Sequence, residues 1–130
     1  MSCFTPAEIA YLTGERRLAR IATVGADGMP HVVPSGFAYN AEMDTIDLGG
    51  IRLEETKKYR DVGRRGLAAV VIDDVLPPWR PRGIEVRARA EALDGLIRLH
   101  PRRIVSWGLD NDEFGIRSAR TVEAGATRPA

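Results

Sequence analysis

From Ile84 to Leu93 the chain alternates without a break. Ile84, Val86, Ala88, Ala90 and Ala92 stand against Glu85, Arg87, Arg89 and Glu91. A period of two belongs to a β-strand with one buried face and one polar face; a helix cannot gather such a set onto one stripe. A half-wet strand needs antiparallel neighbours to cover its apolar side, and the rest of the chain provides them. Leu18–Val24 and His31–Tyr39 read as strands joined by the turn Gly25-Ala26-Asp27-Gly28. Asn40–Asp44 then turns the chain into a third strand, Thr45–Leu48, ending at Gly49-Gly50. Leu67–Ile72 is a buried strand, and Leu96–Trp107 makes a last strand or two, interrupted at Pro101. Pro30 and Pro34 have no N–H to give a ladder, so the second strand sits at an edge or is irregular there.

Two helices complete the pattern. Thr5-Pro6-Ala7-Glu8 is a capping box with proline at the first helical position, and predicts a helix running to about Glu15. Arg52–Arg65 predicts a second, stopped by Gly66, with Glu54 and Glu55 in its first turn and Arg64 and Arg65 in its last. Leu76–Gly83 reads as an extended loop held open by its prolines and arginines. About six closely spaced antiparallel strands with two short helices favour a small barrel. At 130 residues this is one domain, taken as residues 1–122, with a disordered tail at 123–130.

Charge narrows the function classes. The net charge is +1, and residues 1–50 carry three basic against six acidic groups, which argues against a nucleic-acid module. Residues 51–103 hold thirteen basic and eight acidic groups, and the chain's two lysines, Lys57 and Lys58, stand there side by side among seventeen arginines overall. One cysteine, Cys3, excludes an internal disulfide and a cysteine zinc site and suits a reducing cytoplasm. Two histidines, His31 and His100, make no metal cluster. No apolar run is long enough to span a membrane, and no signal peptide is visible. The absence of a Gly-x-Ser-x-Gly elbow, a Walker loop and a Gly-x-Gly-x-x-Gly turn disfavours a hydrolase or a kinase.

Chemistry then concentrates in three places. The Arg52–Arg65 segment offers an anion site, with Lys57, Lys58 and Arg60 as cations and Thr56 as a hydroxyl. The same residues also form two favourable i,i+4 pairs, Glu54–Lys58 and Lys57–Asp61, as an ordinary solvated helix would. Trp79, between Pro78 and Arg80-Pro81-Arg82, suits a lid over a flat aromatic ligand, a subunit contact, or a plug in the barrel end. His31 and Ser35 lie on the proline-broken strand, where backbone groups left unpaired can meet a ligand.

In their order and spacing, Leu18–Val24, Asp27–Pro34, Thr45–Gly50 and Thr56–Val62 resemble the pyridoxamine-phosphate-oxidase-like split barrels. Pro78–Arg87 and Pro101–Leu109 are similar to the branch that depends on the deazaflavin coenzyme F420. The resemblance covers about residues 4–109, continues more faintly to Val122, and implies a six-stranded split β-barrel of the FMN-binding type, homodimeric, with cofactor sites between subunits. It implies that Lys58 holds the cofactor phosphate with Thr56, Lys57 and Arg60 around it. Val33, Pro34 and Ser35 would line the ring with His31 also at the cofactor, Gly49 and Gly50 would let the backbone approach the cofactor tail, and Trp79 would reach in from the partner subunit. Arg80 and Arg82, with Arg87 and Arg89, would suit a long anionic tail. The implied activity is hydride transfer from reduced F420 to an activated alkene or enone of a small substrate. FMN is the alternative cofactor, in an oxidase or flavin reductase; a non-catalytic cofactor binder is the third reading. Ser35 and Ala88 depart from the branch's commoner residues, and the C-terminus lacks the arginine motif of the vitamin oxidases.

Overall fold

Thr5 accepts the Glu8 amide at 3.1 Å while the Glu8 carboxylate accepts the Thr5 amide at 2.9 Å, so both halves of the expected capping box are made. The helix so started, α1 (Pro6–Thr13), ends before Gly14. The computed structural model describes residues 1–109 and 117–123. After α1 come β1 (Ala19–Val24), β2 (Pro30–Ser35), β3 (Ala38–Asn40), β4 (Thr45–Leu48), a 3₁₀ turn at Leu53–Glu55, α2 (Lys57–Arg65), β5 (Leu67–Leu76), β6 (Arg80–Leu93), β7 (Leu96–Trp107) and β8 (Arg117–Thr121). All the pairings are antiparallel.

The strands form one curved ladder in the order β2-β1-β5-β6-β7-β4-β3, with β8 also on β7. Its two ends, β2 and β3, do not pair, so the barrel stays open between them. The expected single strand His31–Tyr39 breaks at Gly36-Phe37, which is where the ladder divides: β2 pairs with β1, and β3 with β4. That break, together with β8, raises the strand count among the described residues from the expected six to eight. The mainly β architecture with two α-helices stands.

Other departures have local causes. The 76–83 segment is no open loop, because Asp74↔Arg82 and Leu76↔Arg80 continue the β5–β6 ladder and leave only a tight turn at 77–79. β7 runs through Pro101: the register shifts between Arg87 and Ala88, so Arg102 bulges and the missing proline N–H is absorbed. Helix α2 starts late because Thr56 caps it, accepting the Tyr59 amide. All of the expected tail beyond Glu123 lies outside the described residues. Among those described, no helix is long and apolar enough to cross a membrane.

The inner face of the ladder is the core. Ile21, Ile46, Leu48, Val70, Ile72, Ile84, Val86, Ile97, Leu99 and Ile104 are fully buried, closed by Leu12 of α1, Leu53 of the 3₁₀ turn and Val62 of α2. One buried carboxylate ties the ends of the chain together. Glu8 accepts from Ser106 at 2.6 Å and from two nitrogens of Arg120 on β8. Burial works against its charge, yet the Arg120 and Ser106 bonds outweigh it and hold the Glu8 carboxyl below its ordinary range.

Candidate functional site

Helix α2 packs on β1 and β6 and separates the two lysines. With 100° per residue, Lys58 projects between the buried Asp61 and Val62, whereas Lys57, Arg60 and Arg64 fall together on the other side. Lys57 is committed. Its Nζ lies 3.1 Å from Asp61 and against Gly25, where an added Cβ would come within 2.8 Å of it. Asp61 is buried and also accepts from Thr23 at 2.8 Å and Arg64 at 3.4 Å. Burial raises its carboxyl, but the Thr23 and Lys57 bonds prevail and keep it below the usual range. Of the two i,i+4 pairs expected, therefore, only one forms. Glu54 instead accepts the Gly95 amide at 2.9 Å, and among the described residues no carboxylate reaches ion-pair distance of Lys58.

The remaining expected residues are distributed as follows. Lys57, Arg60, Asp61 and Arg64, with Ala26 and Asp27, line a cavity of about 320 Å³ that does not include Lys58. Thr56 is spent on the helix start, donating to the Leu53 carbonyl at 2.6 Å. His31, Val33 and Ser35 share the inner face of β2, but Pro34 is exposed on the outer face opposite Arg20, so its ring does not join theirs. Ser35 donates to the Gly36 carbonyl at 2.9 Å. The Nδ1 of His31 is buried with no hydrogen-bond partner among the described residues, a state that costs about 1–3 kcal/mol unless something satisfies it.

Gly49 and Gly50 are exposed, take no positive φ, and a Cβ at either would touch nothing closer than 3.9 Å. Neither backbone conformation nor internal packing asks for glycine there. Bare backbone open to an incoming group is what the pair provides. Trp79 stands at the tip of the β5–β6 hairpin, 69% exposed. Arg80 is half-buried near the same tip, and Arg82 is bound to Asp74 at 2.8 Å. Arg82 lies on the inner face of β6 while Arg87 and Arg89 lie on the outer one, and Arg87 pairs with Glu85 at 3.0 Å. The four arginines thus do not form one groove within a protomer.

Sequence reasoning missed the outer face of the sheet. There a cavity of about 590 Å³ is lined by Ala22, Val24, Pro30, Leu67, Ala69 and, on one wall, Arg87, Arg89 and Arg102. Leu67 on its wall is 61% exposed, and Val32, paired with Ala22, is 64% exposed. The signal was present in β5, which is apolar on both faces and so is built to be covered on both.

A scan of family models matches residues 5–122 to pyridoxamine 5'-phosphate oxidase. A curated relative, the 5a,11a-dehydrotetracycline/5a,11a-dehydrooxytetracycline reductase of Streptomyces rimosus, is 38% identical over 135 aligned positions, 93% of this chain and 94% of that one. Among solved structures, a heme-binding protein from Mycobacterium smegmatis superposes with a TM-score of 0.70 at 13% identity; 93% of this chain spans 60% of that longer one. A structure described as an F420 reductase aligns with a TM-score of 0.57 at 18% identity, covering 73% of this chain and 94% of that one. The chain belongs to the pyridoxamine 5'-phosphate oxidase family. It is an oxidoreductase of that family.

Proposed function

We propose that this protein is an F420-dependent reductase that saturates an activated alkene or enone in a flat, polycyclic small molecule. The observation that carries the reading is its near full-length, 38% identity to a dehydrotetracycline reductase. Lys58 without a carboxylate partner among the described residues, the bare Gly49-Gly50 backbone and the His31 Nδ1 left without a partner among them fit an anionic, ring-bearing cofactor. When bound in its reduced form, that cofactor supplies the hydride.

The chain supplies the rest. Lys58 holds the phosphate as a point charge near the positive end of the α2 dipole. Gly49 and Gly50 admit the tail, and the inner face of β2 at His31, Val33 and Ser35 lies along the ring. Reducing the double bond takes one hydride and one proton, while the cofactor gives up two electrons. Of the two polar side chains on β2, Ser35 is committed to the Gly36 carbonyl, and His31 keeps a nitrogen without a partner for the proton's route. A second copy covers the apolar outer face and brings its Trp79 to the site. The exposed Val32 and Leu67 on that face support this homodimer.

Titration of the purified protein with F420 and with FMN, followed by oxidation of reduced F420 in the presence of a tetracyclic enone, tests the reading. Tighter binding of F420 with turnover is expected. Tighter binding of FMN overturns the cofactor assignment, and tight F420 binding without turnover on a broad enone panel makes the protein a cofactor binder.

A further inference from the structure

The β5–β6 hairpin outruns the sheet that carries it. β1 pairs with β5 only at Ala69, Val70 and Val71, and β7 joins β6 from Gly83 onward. Beyond Ile72 and Gly83 the two strands pair with each other as far as Leu76↔Arg80, making an arm with Trp79 at its end. The root of the arm is packed tightly. A Cβ on Gly83 would lie 2.7 Å from the Ile72 carbonyl oxygen and 2.8 Å from the Trp107 ring, and one on Gly108 would lie 2.5 Å from the Pro81 carbonyl oxygen.

Halfway along, a polar cluster ties the arm to α1. Asp74 stands directly opposite Arg82, whose Nε and Nη2 donate to its two carboxylate oxygens at 2.8 and 3.1 Å. Tyr11 of α1, 63 residues away in sequence, donates its hydroxyl to the same carboxylate at 2.8 Å. Arg17, just after α1, approaches that carboxylate to 3.6 Å and is nine-tenths buried in its side chain. The Tyr11 ring carries both guanidinium groups, Arg17 at 3.9 Å and Arg82 at 5.2 Å from its centroid. Burial and the Asp74 bond push the Tyr11 hydroxyl far above a free phenol's range, so it stays a donor.

Two residues, Val75 and Leu76, separate Asp74 from the turn, which begins about 10 Å along the extended chain. A hinge error of about 10° at the cluster therefore moves the tip by about 2 Å, and misplacement by about 1 Å is enough to cost a ligand-positioning group much of its effect.

We infer that Tyr11, Asp74 and Arg82 are positioning residues: their cluster sets the angle of the arm and thereby presents the Trp79 indole as a stacking face for a flat conjugated ring in the site. This rests on the reading above that Trp79 belongs to that site. The ring comes from the cofactor or from the substrate, and the two are separable by measurement.

The test uses the full chain with both tryptophans replaced by 5-fluorotryptophan, giving two ¹⁹F resonances that Trp79→Ala assigns. Kd for F420 and KM for 5a,11a-dehydrotetracycline, the substrate in the relative's name, are measured for Trp79→Ala, Asp74→Asn, their double variant and the milder Tyr11→Phe. Asp74→Asn is expected to move the Trp79 resonance and leave that of Trp107 in place. It should weaken by at least fivefold whichever of the two constants Trp79→Ala weakens, with kcat changed less than twofold. Tyr11→Phe should act in the same direction by about twofold, and the double variant should be no worse than Trp79→Ala alone. Loss in Kd names the cofactor ring, and loss in KM names the substrate ring. If Trp79→Ala leaves both constants unchanged, Trp79 is outside the site and the inference falls with that placement. If Trp79→Ala weakens binding while Asp74→Asn and Tyr11→Phe bind as wild type, or if the losses multiply in the double variant, the anchor alone is overturned.

Discussion

Replacing Lys57 and Lys58 one at a time by alanine should damage two different properties. Lys57 is the half-exposed partner of a buried carboxylate, its side chain 43% exposed against 2% for Asp61. Asp61 keeps Thr23 and Arg64 when the ammonium is lost, and solvent screens the half-exposed charge. The expected loss is thus about 1 kcal/mol of stability, or about 4 °C in Tm for a chain of this size. Lys58 has no carboxylate partner among the described residues, so its removal should leave Tm within about 1 °C. If it holds the cofactor phosphate, it makes a charge-assisted bond of about 1.5–3 kcal/mol, and Lys58→Ala should raise the Kd for F420 about 10- to 150-fold. Lys57→Ala should change that Kd less than threefold. Thermal unfolding and a fluorescence titration at one fixed salt concentration read both quantities. The opposite pattern, binding lost with Lys57 and stability lost with Lys58, would put the phosphate in the Lys57–Arg60–Arg64 cavity and refute the division.

Three further outcomes are expected. Gly50→Val should leave Tm within about 1 °C, because a side chain meets only Leu53 at 3.9 Å, yet weaken F420 binding at least fivefold by filling the bare backbone approach; calorimetric titration beside a melting curve checks this. Leu67→Glu, which places a charge on the apolar outer face, should turn the proposed dimer into a monomer by light scattering at micromolar protein; an unchanged dimeric mass removes that face from the interface. Tm should fall as the pH drops below about 4.5, the ordinary value for Glu8. Glu8, Asp44, Asp47, Asp61, Asp74 and Glu91 are all held below their ordinary values in the fold, so the stability they contribute is complete above those values and lost as protons bind. Glu8→Gln should melt lower at neutral pH and show a shallower acid fall; an equally steep one would place the acid sensitivity elsewhere.

Much of the fold was legible because its signals are short-ranged. A capping box needs four residues, and Thr5 to Glu8 supply them. The alternation from Ile84 to Leu93 needs only its own period, and Gly66 ends α2 in the left-handed conformation that glycine favours. The family, with its split sheet, was likewise written in motif order along the chain. The candidate site residues are legible as types, cations beside a helix start and glycines after a strand, but not as partners.

Which residue meets which was decided by register. Lys57 and Lys58 are neighbours in sequence and differ by 100° around α2, so only the packing of that helix on β1 could spend one on Asp61 and spare the other. The division of 31–39 into strands of opposite edges, the pairing of Tyr11 with Asp74 and that of Glu8 with Arg120 all join elements far apart in the chain. Local propensity ends within a turn or two of helix or a few residues of strand, whereas these contacts exist only once the ladder has closed long loops between them. Sequence alone therefore determined most of the elements and the family; tertiary structure alone decided which of the two lysines pairs with a buried carboxylate.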